Sequence, residues 1–193
     1  MNKKASKIFE YRSYTPIPFL VLMFIFFKGT PESMVIGFFM ALLGELFRFW
    51  GVSYAGSETR TTGEVGATYL VVSGAFAHLR NPLYLGNMLM YLGIGIMSMA
   101  LFPYLQIVAF LWFVFQYHVI VKEEESFLVE KYGKQYETYR ASVPKFFPSI
   151  KKYPNPGLEQ PPFDWKSGLE SETRTLQAFV FIIVLIIIRY IFS

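Results

Sequence analysis

The sequence predicts an all-α membrane protein, a polytopic helical bundle of about five transmembrane helices in a single domain. Two observations carry this prediction. Of the 193 residues, 53% are hydrophobic and only 17% are charged, which is far more apolar than a soluble chain of this length requires. The apolar residues also lie in separate runs, several of them close to the roughly 20 residues that a helix needs to cross a bilayer.

The predicted spans follow five apolar runs in order. The first run is short for a span, and the third and fourth are joined by a tight turn around Phe102-Pro103, which requires an antiparallel hairpin. The bundle is expected to carry a cytoplasmic C-terminal catalytic segment, and residues 149–174 are expected to form a cytoplasmic linker before the last span. The predicted spans are Pro16–Phe27, Ser33–Tyr54, Leu83–Leu101, Tyr104–Val121 and Thr175–Phe192.

The basic residues predict an orientation. With five spans, the N-terminus and the polar segments after spans two and four lie on one side of the membrane. The positive-inside rule places that side in the cytoplasm, because it holds most of the lysines and arginines. The residues counted are Lys3, Lys4, Lys7, Arg12, Arg60, Arg80, Lys122, Lys131, Lys134, Arg140, Lys145, Lys151, Lys152, Lys166 and Arg174.

Composition also argues against several classes of function. The chain has no cysteine, which excludes disulfides and thiolate catalysis, and its two histidines argue against a His-rich metal centre, so we expect no metal. The net charge of +4 is small. We interpret it as a topological signal rather than as affinity for nucleic acid, and we expect no nucleic-acid partner.

A helix-start signal opens the third span. Asn81 suits the N-cap position and Pro82 suits the first helical position. Taken alone, this pair indicates only a cap. Arg80 beside the helix N-terminus adds a guanidinium and predicts a site for a carboxylate or phosphate. The alternative is an interfacial arginine that contacts lipid phosphate.

Three successive carboxylates, Glu123, Glu124 and Glu125, follow the fourth span. At a helix C-terminal end they oppose the helix dipole and need cationic partners. Such a run is often only a solvated helical face. Because spans three and four form a hairpin, however, the carboxylates return to the level at which Arg80 begins the third span. We therefore predict that Arg80 and the acids are neighbours.

Two further patterns lie within the spans and allow two interpretations each. Gly93-Ile94-Gly95 is typical of close helix packing, with ligand contact as the alternative. Glu45 and Arg48 lie one helical turn apart in the second span, where charge is costly unless it is paired or faces a cavity. They either pair with each other or hold a polar substrate head.

In combination, these motifs resemble those of the membrane methyltransferases of the isoprenylcysteine carboxyl methyltransferase and phospholipid (phosphatidylethanolamine) N-methyltransferase superfamily. The resemblance covers residues 44–148, the expected core of the domain. Singly, none of the motifs would be specific. They are Leu70–Tyr84, Gly93, Glu124-Glu125, Tyr132–Arg140, Val143-Pro144 and Pro148.

The resemblance implies an enzyme that uses S-adenosylmethionine without the soluble doubly wound fold. From their chemistry, we assign Arg80, Glu124 and Glu125 as the catalytic residues. Asn81 stands where the isoprenylcysteine branch usually has His, and together with Gly93-Ile94-Gly95 it favours the phospholipid-methylating branch. Glu123 is an additional acid before the family pair. The implied cofactor pocket comprises Arg80, Asn81, Pro82, Tyr84, Gly93, Gly95, Glu124 and Glu125.

Arg48-Phe49-Trp50 resembles a less specific Arg-x-Trp element in the preceding helix of this superfamily. We assign Arg48 and Trp50, together with Glu45 and Tyr136, to the substrate side of the expected site. The tail of a lipid substrate would enter between the helices from the bilayer, and its head would meet the cofactor at the cytoplasmic face.

The expected chemistry suits these residue types. Methyl transfer from a sulfonium is an in-line displacement that depends on positioning more than on a covalent nucleophile. Arg80 would hold the methionyl carboxylate and one of the two glutamates its ammonium, while the other would take a proton from an amine acceptor.

The leading interpretation is therefore methyl transfer to a membrane lipid or lipidated acceptor. Among these acceptors, the amine headgroup of a phospholipid is favoured. Carboxyl methylation of an isoprenylcysteine-type substrate is the alternative within enzymes. A non-catalytic membrane protein or transporter is the alternative of another class, although the inverted repeat typical of small transporters is not visible in the sequence.

Overall fold

The computed structural model describes residues 3–56 and 69–193, and over these ranges it is helical with no β-strand, which confirms the all-α prediction. A short 3-10 turn at Gly74–Ala77 precedes the fourth helix. Arg60, counted for the orientation, lies outside the described residues. The α-helices of the described part are α1 (Lys3–Tyr11), α2 (Pro16–Ile25), α3 (Pro31–Ala55), α4 (Pro82–Ser98), α5 (Tyr104–Tyr132), α6 (Lys134–Ser142) and α7 (Trp165–Ile191).

Three of these helices, α3, α5 and α7, are long and apolar enough to cross a membrane. They contain 25, 29 and 27 residues. At about 1.5 Å per residue they extend roughly 38, 44 and 40 Å, so each exceeds a hydrocarbon core of about 30 Å. The described fold is that of an integral membrane protein.

The other two predicted spans form shorter helices. The first is the 10-residue α2, which extends only about 15 Å because Pro16 starts it and the chain leaves the helix after Ile25. The third is the 17-residue α4, which extends about 26 Å. The count of five spans therefore stays a prediction. Residues 165–174, expected in the linker, instead form the first turns of α7.

Local capping explains where two of the long helices begin. Ahead of α3, the Ser33 amide donates to Thr30 Oγ1 and the Thr30 amide donates to Ser33 Oγ, a reciprocal cap at 3.2 and 2.9 Å. Ahead of α7, Asp164 accepts from the amides of Lys166 and Ser167 and from the Ser167 hydroxyl. These hydrogen bonds lower the pKa of Asp164, with that from the Ser167 hydroxyl contributing most.

The chain divides into two compact units, of which unit 1 comprises Met1–Glu45, Asn87–Glu123 and Thr175–Ser193. Its apolar core joins α2, α3, α4, α5 and α7. Gly37 of α3 and Gly93 of α4 let the two backbones meet, because a Cβ built on Gly93 would lie 2.5 Å from the Ala41 nitrogen. This contact is the close packing that small residues permit in membrane helices.

Unit 2 comprises Leu46–Gly86 and Glu124–Arg174. It contains the C-terminal ends of α3 and α5, the N-terminal ends of α4 and α7, and all of α6. Its core is a cluster of apolar and tyrosine side chains in which the Tyr139 hydroxyl donates to the Phe76 carbonyl at 2.7 Å. The buried members of the cluster are Leu70, Val72, Ala77, Tyr136, Tyr139, Val143 and Tyr153.

Candidate active site

The candidate site lies in unit 2, where α4 begins and α5 approaches its end. Arg80 Nη2 is 3.4 Å from Glu125 Oε1, and Lys145 Nζ is 3.5 Å from Glu125 Oε2. The Glu125 side chain is only 11% exposed. The structure thus brings Arg80 and Glu125 together, and it places a second cation, Lys145, on the other oxygen of the same carboxylate.

Glu124 has a different partner. The Tyr84 hydroxyl, one helical turn into α4, donates a hydrogen bond of 2.7 Å to Glu124 Oε1. Adjacent residues on a helix point about 100° apart. The two members of the predicted acid pair therefore face different surroundings, one oriented by a phenol and the other held between cations.

The end of α6 and the segment after it support the start of α4. The Arg80 amide donates to the Pro144 carbonyl at 3.0 Å, and the Asn81 side-chain amide donates to the Lys145 carbonyl at 3.1 Å. Arg80 Nη1 also donates to the Arg140 carbonyl at 2.9 Å. Arg80 and Asn81 are thereby fixed by a stretch of chain that follows them by about sixty positions.

Lys145 was missed as a site residue by sequence reasoning. A signal existed, because it directly follows Val143-Pro144 within the stretch that carries the family resemblance. Arg140, counted for topology and as the last residue of the motif Tyr132–Arg140, contributes its backbone carbonyl, a role that no side-chain pattern can predict.

Tyr136, expected on the substrate side, is 2% exposed and packs in the core of unit 2. Burial raises the pKa of the Tyr136 hydroxyl, and the negative charge of Glu125 raises it further. The group therefore stays protonated near neutral pH. A contact between Tyr136 and substrate remains a prediction.

Arg48 forms a buried ion pair with Glu172 of α7. Arg48 Nη2 lies 2.9 and 2.8 Å from the two carboxylate oxygens of Glu172. Sequence reasoning weighed only Glu45 or a substrate as the partner of Arg48. Glu45 belongs to unit 1 and is 4% exposed. The missed signal was an acidic residue in the opening turns of the last apolar helix.

The remaining predicted residues fall into two groups. In unit 2, Pro82 is buried against α3 beside Gly51, and the Trp50 ring lies 6.0 Å from the His78 ring. In unit 1, Gly93 serves close packing, and the Gly95 carbonyl accepts from the Gln106 side chain at 2.9 Å. A role for the two glycines in cofactor binding stays a prediction.

Two buried atoms at the centre of the site have unused hydrogen-bonding capacity. Arg80 Nε and Glu125 Oε1 make no hydrogen bond, although the two side chains form an ion pair. Buried polar groups are rarely left in this state. The unsatisfied guanidinium N–H can donate to the carboxylate of an amino acid, and the unsatisfied carboxylate oxygen can accept from its ammonium. The residues present therefore fit the methionyl end of S-adenosylmethionine.

Comparison with known proteins assigns the family. A model of the family described as Phospholipid methyltransferase matches residues 33–135, just over half of the chain. The chain belongs to this family. The matched region contains Arg80, Asn81, Tyr84 and the acid pair, and it ends just before Tyr136.

The chain is also similar to the cobalt-zinc-cadmium resistance protein CzcN of Cupriavidus metallidurans, with 28% identity over 124 residues. That alignment covers 64% of this chain and 53% of CzcN, so the chain spans about half the length of this curated relative. No solved structure matches the chain.

Proposed function

We propose that this protein transfers a methyl group from S-adenosylmethionine to a lipid or lipidated acceptor, and that the acceptor is the amine headgroup of a phospholipid. The observation that carries the proposal is the Arg80–Glu125 pair, buried at the start of α4 with one unsatisfied donor and one unsatisfied acceptor. Membership of the phospholipid methyltransferase family supports a methyltransferase in general.

In this proposal the cofactor supplies an electrophilic methyl group on a sulfonium. Arg80 would bind the methionyl carboxylate through charge-assisted hydrogen bonds, and Glu125 would accept a hydrogen bond from the ammonium. Together with Arg80, Lys145 places two cations around the Glu125 carboxylate. That excess of positive charge suits a ligand that carries a carboxylate of its own.

Glu124 acts on the acceptor side. An amine headgroup arrives mostly protonated at neutral pH, and it must lose a proton before its lone pair is available as a nucleophile. A carboxylate near the amine can accept that proton. The hydrogen bond from Tyr84 orients Glu124 for this task. A carboxylate acceptor would need no base.

The proposal includes a topology of five spans, with the N-terminus and the site in the cytoplasm. Helix α4 extends about 26 Å, a modest mismatch that a bilayer accommodates by local thinning. Methyl transfer at the cytoplasmic face would bring a soluble cofactor and a lipid headgroup to the same surface.

The experiment supplies deuterated-methyl S-adenosylmethionine to the purified protein in nanodiscs and identifies labelled products by mass spectrometry. Phosphatidylethanolamine and farnesylcysteine are offered in parallel. We expect labelled methylated phosphatidylethanolamine. A labelled farnesylcysteine ester instead would assign the carboxyl-methylating alternative, and the absence of label in both would refute methyl transfer to these acceptors.

The control is an arginine in unit 2 outside the site. Arg174 is exposed, so Arg174→Ala should label the product as fast as the unmodified protein. Arg80→Ala should label it far more slowly. Equal rates for the two variants would contradict the assignment of Arg80.

A further inference from the structure

Residues 147–152, the loop that follows the candidate site, are tied to the body of unit 2. The Ser149 amide donates to the His78 carbonyl at 2.9 Å, and His78 Nδ1 lies 2.8 Å from the Ser149 carbonyl oxygen. Just beyond the loop, the Tyr153 amide donates to the Ala77 carbonyl at 2.9 Å. The backbone of the loop is therefore held in place on both sides of Ile150.

Two apolar side chains project from this anchored backbone. Phe147 is 84% exposed and Ile150 is 101% exposed, whereas Val143 and Tyr153 on either side of the loop are buried. An exposed apolar residue is ordinary when it is single. Two large exposed apolar side chains on a loop of fixed conformation indicate a surface that binds an apolar partner.

The loop is also basic. Lys151 and Lys152 directly follow Ile150, and both are exposed. Apolar side chains flanked by lysines are the chemistry of a surface that enters the interface of an anionic membrane, where the apolar groups reach the acyl boundary and the cations meet lipid phosphates.

Unit 2 contains a second element of interfacial character. Trp165 opens α7, one of the candidate spans, with Phe163 just before it, and both rings are about half exposed. The Lys166 Nζ lies 5.9 Å from the centre of the Trp165 ring. Tryptophan and lysine at the end of a span are typical of the boundary between membrane and water.

We infer that the loop 147–152 is a membrane-surface anchor that inserts Phe147 and Ile150 among the headgroups of an anionic leaflet, with Lys151 and Lys152 on lipid phosphates. A second copy of the chain is a less suitable partner for this loop than a membrane. Two side chains offer far less than the roughly 800 Å² per partner that a stable interface buries.

The anchor has a consequence for the candidate site. Lys145, two residues before Phe147, accepts from Asn81 through its carbonyl and pairs with Glu125 through its amine. Insertion of the loop into the headgroup layer therefore fixes the depth of Asn81 and Glu125 relative to the membrane surface. The inference concerns lipid contact alone and does not depend on methyl transfer.

The test measures lipid contact directly. Because the chain has no cysteine, Ile150→Cys can be labelled with a polarity-sensitive fluorophore in the full-length protein in nanodiscs. Glu137→Cys, on an exposed position of α6, is the matched control. The probe at residue 150 should emit at a shorter wavelength than the probe at residue 137, because its surroundings are less polar. Lipids brominated near the headgroup should quench the probe at residue 150 and leave the probe at residue 137 unchanged.

The lipid composition tests the charge. Quenching at residue 150 should rise when phosphatidylglycerol is mixed into phosphatidylcholine nanodiscs, and Lys151→Gln with Lys152→Gln should remove that rise. Equal quenching at residues 150 and 137 would overturn the anchor. Self-quenching between labelled copies without quenching by lipid would assign the surface to a second copy of the chain. Quenching at residue 150 that does not change with phosphatidylglycerol would overturn the anionic membrane as the partner.

Discussion

The hydroxyl of Tyr84 donates to the carboxylate of Glu124 at 2.7 Å and thereby joins the first turns of α4 to the polar end of α5. One residue further along α5, Glu125 is held by Arg80 and Lys145 instead. Two neighbouring carboxylates of the same chemical type thus have different partners, and this difference leads to separate expectations for the two.

Replacement of Arg80 by Ala should weaken binding of S-adenosylmethionine by about 1.5–3 kcal/mol, the scale of a lost hydrogen bond to a charged group. Titration calorimetry on the protein in nanodiscs measures this directly. Arg174→Ala is the control and should bind normally. If the unmodified protein shows no binding, the cofactor assignment fails.

Replacement of either acid by Gln should largely abolish turnover, for different reasons. Glu125→Gln should also lose cofactor affinity, because the ammonium loses its counter-charge. Glu124→Gln should keep that affinity, because Glu124 is assigned to the acceptor. Glu123→Gln should be milder than both. Calorimetry combined with a methylation assay separates the three variants.

Wild-type methylation of an aminophospholipid by all three of these Gln variants would contradict the mechanism. The carboxylates would then be no more than a solvated helical face.

Tyr84→Phe removes the hydroxyl that orients Glu124 and leaves the ring in place. The cost of such a hydrogen bond is about 1 kcal/mol, so kcat should fall roughly five-fold while the dissociation constant of the cofactor stays unchanged. A loss of cofactor affinity with normal kcat would place Tyr84 on the cofactor side instead.

The buried Arg48–Glu172 pair should contribute to stability. Glu172→Ala removes the carboxylate that holds this buried guanidinium with both of its oxygens and should destabilise the protein by about 3–5 kcal/mol, whereas Arg48→Met with Glu172→Leu should recover much of that loss. The unfolding temperatures of the variants in detergent measure these changes in stability. If the double variant is as unstable as the single one, packing rather than charge explains the effect.

Topology can be tested with reporter tags. Tags at Met1 and between Lys151 and Lys166 should report from the cytoplasm, and a tag at Ser193 from the opposite side. A cytoplasmic C-terminus would remove one span, and α2 is then the first to doubt because it has only 10 residues.

The sequence determined the secondary structure of this protein well. Lipid leaves no partner for a free backbone group, so an apolar run must form a helix whose hydrogen bonds are local. Local chemistry also marked the start of α4 at Pro82, as the helix-start signal predicted. The proximity of Arg80 to Glu125 followed from a short turn, because a hairpin returns the chain to the level at which it began.

The tertiary structure alone decided which distant partners meet. Arg48 pairs with a residue 124 positions away, and Asn81 meets a carbonyl 64 positions away. Neither contact has a local signature, because a salt bridge or a backbone carbonyl depends on how packed helices and loops place their ends. Gly93 shows the same limit, because the sequence pattern allowed either close packing or ligand contact, and the structure identifies Ala41 of α3 as the packing partner.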